Sequence, residues 1–179
     1  DGLSITGFHD HPSPPSDVID CANSGTTMRL LIATAALVDG ATTLTGDESL
    51  SSRPQGELLD AIVQLGGEAT SIENNGRAPL VIKGPIKGGS VSVPGNISSQ
   101  FITSLLMAGG VTEAGIDITI TSELKSKPYV DITIELLQFF GIETHATENG
   151  YRVPGGQSYS SHNPVYKVPG DFSSMSYLL

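Results

Sequence analysis

The chain has 179 residues, with nine Lys and Arg against nineteen Asp and Glu, a formal net charge of −10 at pH 7. So acidic a composition, with no basic cluster along the chain, excludes nucleic acid as a partner and disfavours an anionic membrane surface. Hydrophobic residues at 38% against 16% charged residues exclude an intrinsically disordered chain, and the length suffices for a core of ordinary size.

Residues 1–22 carry Pro12, Pro14 and Pro15 and read as a strand or loop entering from a preceding unit, without the basic-then-apolar pattern of a secretory leader. His9 and His11 lie in this loop without further ligands, and the single Cys21 has no partner for an internal disulfide, so no metal or disulfide framework is expected. The cytoplasm is the default compartment. Asn23, Ser24, Gly25, Thr26 and Thr27 then run into an apolar helix pattern. Its stretch from Met28 to Val38 is broken by Arg29 and Thr34 and is too short to span a membrane. Period-two alternation predicts a strand at 42–46. Ser52, Arg53 and Pro54 precede a second helix that ends at Gly66, a glycine suited to a left-handed helix stop. Strands follow at 79–84 and 90–93.

The order then recurs. Asn96 to Gln100 precede a helix, a strand is predicted at 117–121, Ser126, Lys127 and Pro128 precede another helix ending at Gly141, and a strand falls at 151–153. A third hydroxyl-rich marker, Asp171 to Ser174, opens a further apolar pattern at the chain's end. The shifts between markers are about 74 residues, which decides the architecture before any local reading does. The chain is read as α+β (mixed α/β), with a first β-α-β-α-β-β repeat at 23–95, a second in the same domain at 96–168, and the start of a next unit, in a second domain, at 169–179. It reads as an internal fragment.

Helix N-termini leave four N–H groups unpaired and carry partial positive charge, so hydroxyl- and glycine-bearing first turns can receive an anion. Ordinary N-capping explains Ser, Thr, Asn and Asp there equally well. Arg53 and Lys127 occupy matched places before a proline, where a cation near a positive helix end either turns into solvent or neutralises an anionic ligand. Arg29 is as able to pair with a carboxylate as to line a site. His145 and His162 read as isolated surface residues, and Asp131 is assigned no role. No paired carboxylates, serine-triad, GxSxG or phosphate-loop signature is present.

The segments NSGTTMRLL at 23–31, SRP at 52–54, PGNISSQFITSLLMA at 94–108, SKPYVDIT at 126–133 and PGDFSSMSYLL at 169–179 resemble the 5-enolpyruvylshikimate-3-phosphate synthase family in order and spacing. The resemblance implies an enolpyruvyl-transferase-like α/β prism, helices inside and sheets outside. The implied activity is transfer of the enolpyruvyl group of phosphoenolpyruvate to the 5-hydroxyl of shikimate 3-phosphate without metal or organic cofactor. It implies that Ser98, Ser99, Gln100, Ser126 and Tyr129 hold shikimate 3-phosphate, and that Gly25, Arg53 and Gln100 meet phosphoenolpyruvate. Asn23, Thr26 and Lys127 are weaker candidates. Gln55 stands where the family more often has an apolar residue. The proton-transfer residues of the family have no counterpart in these 179 residues. The implied partners are therefore small anionic substrates and the missing remainder of the chain. Competing readings are a UDP-N-acetylglucosamine enolpyruvyl transferase, an RNA 3′-phosphate cyclase of similar architecture, and a non-catalytic anion-binding module.

Overall fold

A computed structural model describes residues 2–7, 12–160, 165–168 and 170. The His9 and His11 pair, His162 and the marker at Asp171 to Ser174 lie outside the described residues. The elements, in chain order, are β1 (Ile19–Asp20), α1 (Gly25–Ala35), β2 (Gly40–Thr45), α2 (Glu48–Ser51), α3 (Gly56–Gln64), β3 (Glu68–Ser71) and β4 (Leu80–Gly84). They continue with β5 (Gly89–Val93), α4 (Ser99–Gly109), β6 (Ile116–Ile120), α5 (Lys127–Phe139), β7 (His145–Thr147) and β8 (Gly150–Val153).

Two four-stranded sheets form, ordered β1-β2-β4-β3 and β5-β6-β8-β7. In each, the first strand joins the second in parallel and the other pairings are antiparallel. The two sheets thus share one topology. The sheet pairing shifts the phase of the repeat, because β5, read from the sequence as closing the first copy, pairs along its whole length with β6. The link between the two sheets is 85–88. Helices α1 and α4 keep a shift of 74 residues from first to last residue. The last strands, β4 and β8, drift to 70 because the β3–β4 connection is longer than the tight β7–β8 turn.

Each helix has a physical start and stop. Ser24 caps α1, its Oγ accepting from the Thr27 N–H at 3.1 Å, and Ser98 caps α4 by accepting from the Gln100 N–H at 3.2 Å. Gly66 and Gly141 follow the C-caps of α3 and α5 at φ +88° and +79°, a conformation that costs a residue with a Cβ.

Both units bury their apolar faces in one core. Met28 and Ile32 of α1, Leu58 and Ile62 of α3, and Phe101, Ile102, Leu105 and Leu106 of α4 are wholly buried against Leu44, Leu80 and Ile82 of the first sheet. Val91, Val93, Ile118 and Val153 close the core from the second sheet. Each such side chain contributes about 1.5–3 kcal/mol relative to exposure. No helix among the described residues is long and apolar enough to cross a membrane.

Candidate functional site

Helices α1 and α4 pack side by side and point the same way, as their hydrogen bonds require. At the N-terminal end the Gln100 Nε2 donates to Thr26 Oγ1 at 2.8 Å. One to two turns further, Ser104 Oγ donates to the Arg29 carbonyl at 2.7 Å and accepts from the Ala33 N–H at 3.3 Å. Thr26 and Gln100 hold the same repeat position, 74 residues apart, and so do Leu30 and Ser104. Parallel helices add their dipoles, so both positive ends face one side of the molecule.

The side chains at that end form two linked groups. Arg29, one turn beyond Gly25, spans the gap between the helices: its NH1 donates to Gln100 Oε1 at 3.0 Å and to Ser98 Oγ at 3.4 Å, and its Nε to Gln55 Oε1 at 3.3 Å. Its guanidinium also lies 5.4 Å from the centre of the Phe101 ring, within cation–π range. Arg53 reaches in from the α2–α3 link, its NH2 donating to Asn23 Oδ1 at 3.1 Å. The Asn23 amide in turn donates to Asp47 Oδ2 at 2.6 Å. Gly25 leaves room for this: an added Cβ would lie 2.8 Å from Arg53 NH1.

Neither Arg29 nor Arg53 forms an ion pair among the described residues. Burial, and after it repulsion from Arg53, lowers the Arg29 pKa below the ordinary guanidinium value. Two guanidinium groups close enough to repel, at the joined positive ends of two helices and neither of them ion-paired among the described residues, have the chemistry to receive an anion. Asp47 lies within electrostatic reach of Arg53, but its oxygens are engaged. Its Oδ1 caps α2 by accepting from the Leu50 N–H at 2.8 Å, and this bond, followed by that from Asn23 and with the Arg53 charge adding to both, holds its pKa below the usual value.

Of the residues singled out from the sequence, Asn23, Gly25, Thr26, Arg53, Ser98 and Gln100 come together here. Capping and site-building prove compatible, since Ser98 caps α4 and accepts from Arg29 at once, while Thr26 leaves the capping to Ser24. Ser99 follows Ser98 in the first turn of α4 and makes no side-chain hydrogen bond among the described residues. Ser126 sits at the N-cap of α5 in the left-handed region, φ +59°, with no side-chain capping bond. Tyr129 is 62% exposed. No hydrogen bond joins Ser126 or Tyr129 to the Arg29 group.

The matched places of Arg53 and Lys127 dissolve in the structure. Ser52 is the C-cap of α2, and α3 starts only at Gly56, so Arg53 directly follows a helix C-terminus instead of opening a helix; Lys127 is the first residue of α5. Its Nζ turns along that helix to Asp131 Oδ1, 2.6 Å away and four residues on, an exposed pair that neutralises it locally. Asp131, assigned no role from the sequence, is thus the partner of Lys127. His145 is at the surface as read, 3.1 Å from a Glu143 oxygen.

Arg29 and Gln55 are the members that sequence reasoning left aside. Arg29 was recoverable, because a residue four places after Gly25 shares its helix face. Gln55, fully buried just after Pro54, announced itself only as a polar residue among apolar ones.

Two units of one βαβαββ topology, turning parallel helix ends to a common side, define a protein of the enolpyruvyl transferase fold. More narrowly, the chain belongs to the EPSP synthase (3-phosphoshikimate 1-carboxyvinyltransferase) family, whose model matches residues 3–179. It is 62% identical over 175 residues to a 3-phosphoshikimate 1-carboxyvinyltransferase of Halobacterium salinarum, covering 98% of this chain and 41% of the relative. To that of Methanosarcina acetivorans it is 50% identical over 182 residues, covering 100% and 42%. Among solved structures, EPSP synthase from Acinetobacter baumannii superposes with a TM-score of 0.70 at 26% identity, over 82% of this chain and 32% of that one. The chain spans about two-fifths of the length of the curated relatives it matches.

Proposed function

We propose that this chain supplies the half-site for shikimate 3-phosphate, and one wall of the phosphoenolpyruvate site, in an enzyme that transfers the enolpyruvyl group between them. The observation that carries the reading is the pair Arg29 and Arg53, neither of them ion-paired among the described residues, at the joined N-termini of α1 and α4. Ser98, Ser99 and Gln100, with Ser126 and Tyr129 from the start of α5, take shikimate 3-phosphate. Gly25 and Arg53 meet phosphoenolpyruvate, Gln100 borders both, and Asn23 and Thr26 hold Arg53 and Gln100 in place. Lys127 drops out of the set, since Asp131 already satisfies it.

In the reaction the 5-hydroxyl of shikimate 3-phosphate gives up its proton to a base as its oxygen bonds to C2 of phosphoenolpyruvate and C3 gains a proton from an acid. The tetrahedral adduct then loses phosphate from C2 and a proton from C3, leaving the enol ether. The donors on this chain neutralise and orient two anions, which lowers the barrier by proximity and by stabilising the charge that develops. None of its residues is assigned to move the proton, so the isolated chain does not turn over. The proposed compartment is the cytoplasm, with which the buried free thiol of Cys21 agrees.

The test is phosphate release by a full-length enzyme carrying this segment. Release from phosphoenolpyruvate that depends on shikimate 3-phosphate, and that the 179-residue chain alone does not show, supports the reading. Release that depends on UDP-N-acetylglucosamine instead refutes it.

A further inference from the structure

Gln55 is wholly buried, and its backbone is fully engaged. The N–H donates to the Gly76 carbonyl at 2.8 Å, and the carbonyl accepts from Leu58 and Leu59, each at 3.0 Å. It is the N-cap residue of α3, yet its side chain makes no capping bond. The amide turns away from its own helix instead and bridges the two cationic residues. Oε1 accepts from Arg29 Nε at 3.3 Å, and Nε2 donates to the Arg53 carbonyl at 3.4 Å. Only one orientation of the amide fits, since a guanidinium is purely a donor and a backbone carbonyl purely an acceptor.

This bridge has a geometric result. With Nε held by Gln55, the Arg29 guanidinium keeps its NH1 edge toward Ser98 and Gln100, and its NH2 has no hydrogen-bond partner among the described residues. The same amide donates to the Arg53 carbonyl, so one side chain ties the Arg29 guanidinium to the α2–α3 link from which the Arg53 side chain reaches Asn23. We propose that Gln55 is a positioning residue for anion binding, one that holds the Arg29 guanidinium against the α2–α3 link carrying Arg53 while touching no ligand itself. An apolar residue of the same size would fill the space equally well and leave the Arg29 guanidinium unbraced. The inference rests on the functional reading above.

The test is steady-state kinetics of Gln55→Leu, Gln55→Met and Gln55→Glu in the full-length enzyme carrying this segment, with a melting temperature for each. Leu and Met keep the volume and remove both hydrogen bonds. The expected result is a melting temperature near that of the unsubstituted enzyme and a KM for phosphoenolpyruvate raised about tenfold, the loss expected of one hydrogen bond to a charged group. The kcat should fall far less, since bracing of a binding group acts on ground state and transition state alike. Glu keeps the shape and adds a charge that competes for Arg29, so it should raise KM further than Leu. Unchanged KM values in Leu and Met, with folding intact, would show Gln55 to be core filling and overturn the inference. If Leu cannot be accommodated and melts early, unbranched Met decides. An inactive unsubstituted enzyme would instead overturn the functional reading.

Discussion

Replacing Gly25 by alanine puts the arginine pair under a graded load. The new Cβ would stand 2.8 Å from Arg53 NH1, where ordinary contact begins at 3.4 Å, so the guanidinium must retreat by the difference, 0.6 Å, or swing away. The fold absorbs this, because the atoms met belong to a flexible side-chain end. Alanine is worth up to about 1 kcal/mol over glycine in a helix, and less at the first helical position. Against it stands the weakened bond from Arg53 to Asn23, again about 1 kcal/mol. The two nearly cancel, so the melting temperature should move by less than about 4 °C for a chain of this size. Binding should respond more strongly. A hydrogen bond from a charged group is worth about 1.5–3 kcal/mol, which corresponds to about a 10- to 100-fold weaker phosphoenolpyruvate interaction. Steady-state titration of the full-length enzyme with each substrate in turn reads this out as a KM for phosphoenolpyruvate that rises while that for shikimate 3-phosphate moves little. An unchanged KM, or equal rises for both substrates, refutes the assignment of Arg53 to one ligand.

Ser104→Ala removes the hydroxyl that ties α4 to the Arg29 carbonyl. Because α1 retains its own helical bonds, the expected loss is about 1 kcal/mol, a drop of about 2–4 °C in the melting temperature, whereas no change would show that the tie contributes nothing. Lys127→Ala should leave both substrate KM values unaltered, since Asp131 already neutralises that ammonium at the surface, and a raised KM for shikimate 3-phosphate would return Lys127 to the site. Asp47 carries a pH signature. Its folded-state pKa is depressed, chiefly by the Leu50 N–H, so its stabilising contribution is complete above the ordinary aspartate range and is lost as pH falls through the folded value. Urea denaturation should therefore separate Asp47→Asn from the unsubstituted protein at about pH 6 and bring the two together toward about pH 2.5, while a gap that persists in acid would exclude the carboxylate as its source.

The long amphipathic helices and half-buried strands were legible because burial on one face imposes a period that survives in the residues. The strands at 40–45, 80–84, 89–93, 116–120 and 150–153 all lie within two residues of their predicted positions. Elements without that burial left no trace of it. β7 is exposed along its length, β1 has two residues, and in β3 only Ala69 and Ser71 turn inward, one of them polar. Helix α2 spans one turn, and Asp47 ahead of Glu48 was its sole sign. The pairing of β5 with β6 is not legible for a different reason. Hydroxyl-rich markers sit at helix starts, but which strand pairs with which is a long-range matter that a marker does not encode. The site divided in the same way. Asn23, Gly25, Arg53, Ser98 and Gln100 lie on motifs, whereas the part of Gln55 depends on what a buried amide meets across the core.

The side-by-side, same-way-up seating of α1 and α4 makes the mouth between them a property of the pair. Equivalent residues of the two copies, Thr26 with Gln100 and Leu30 with Ser104, meet across the seam. A solitary copy would own only one lip of this mouth.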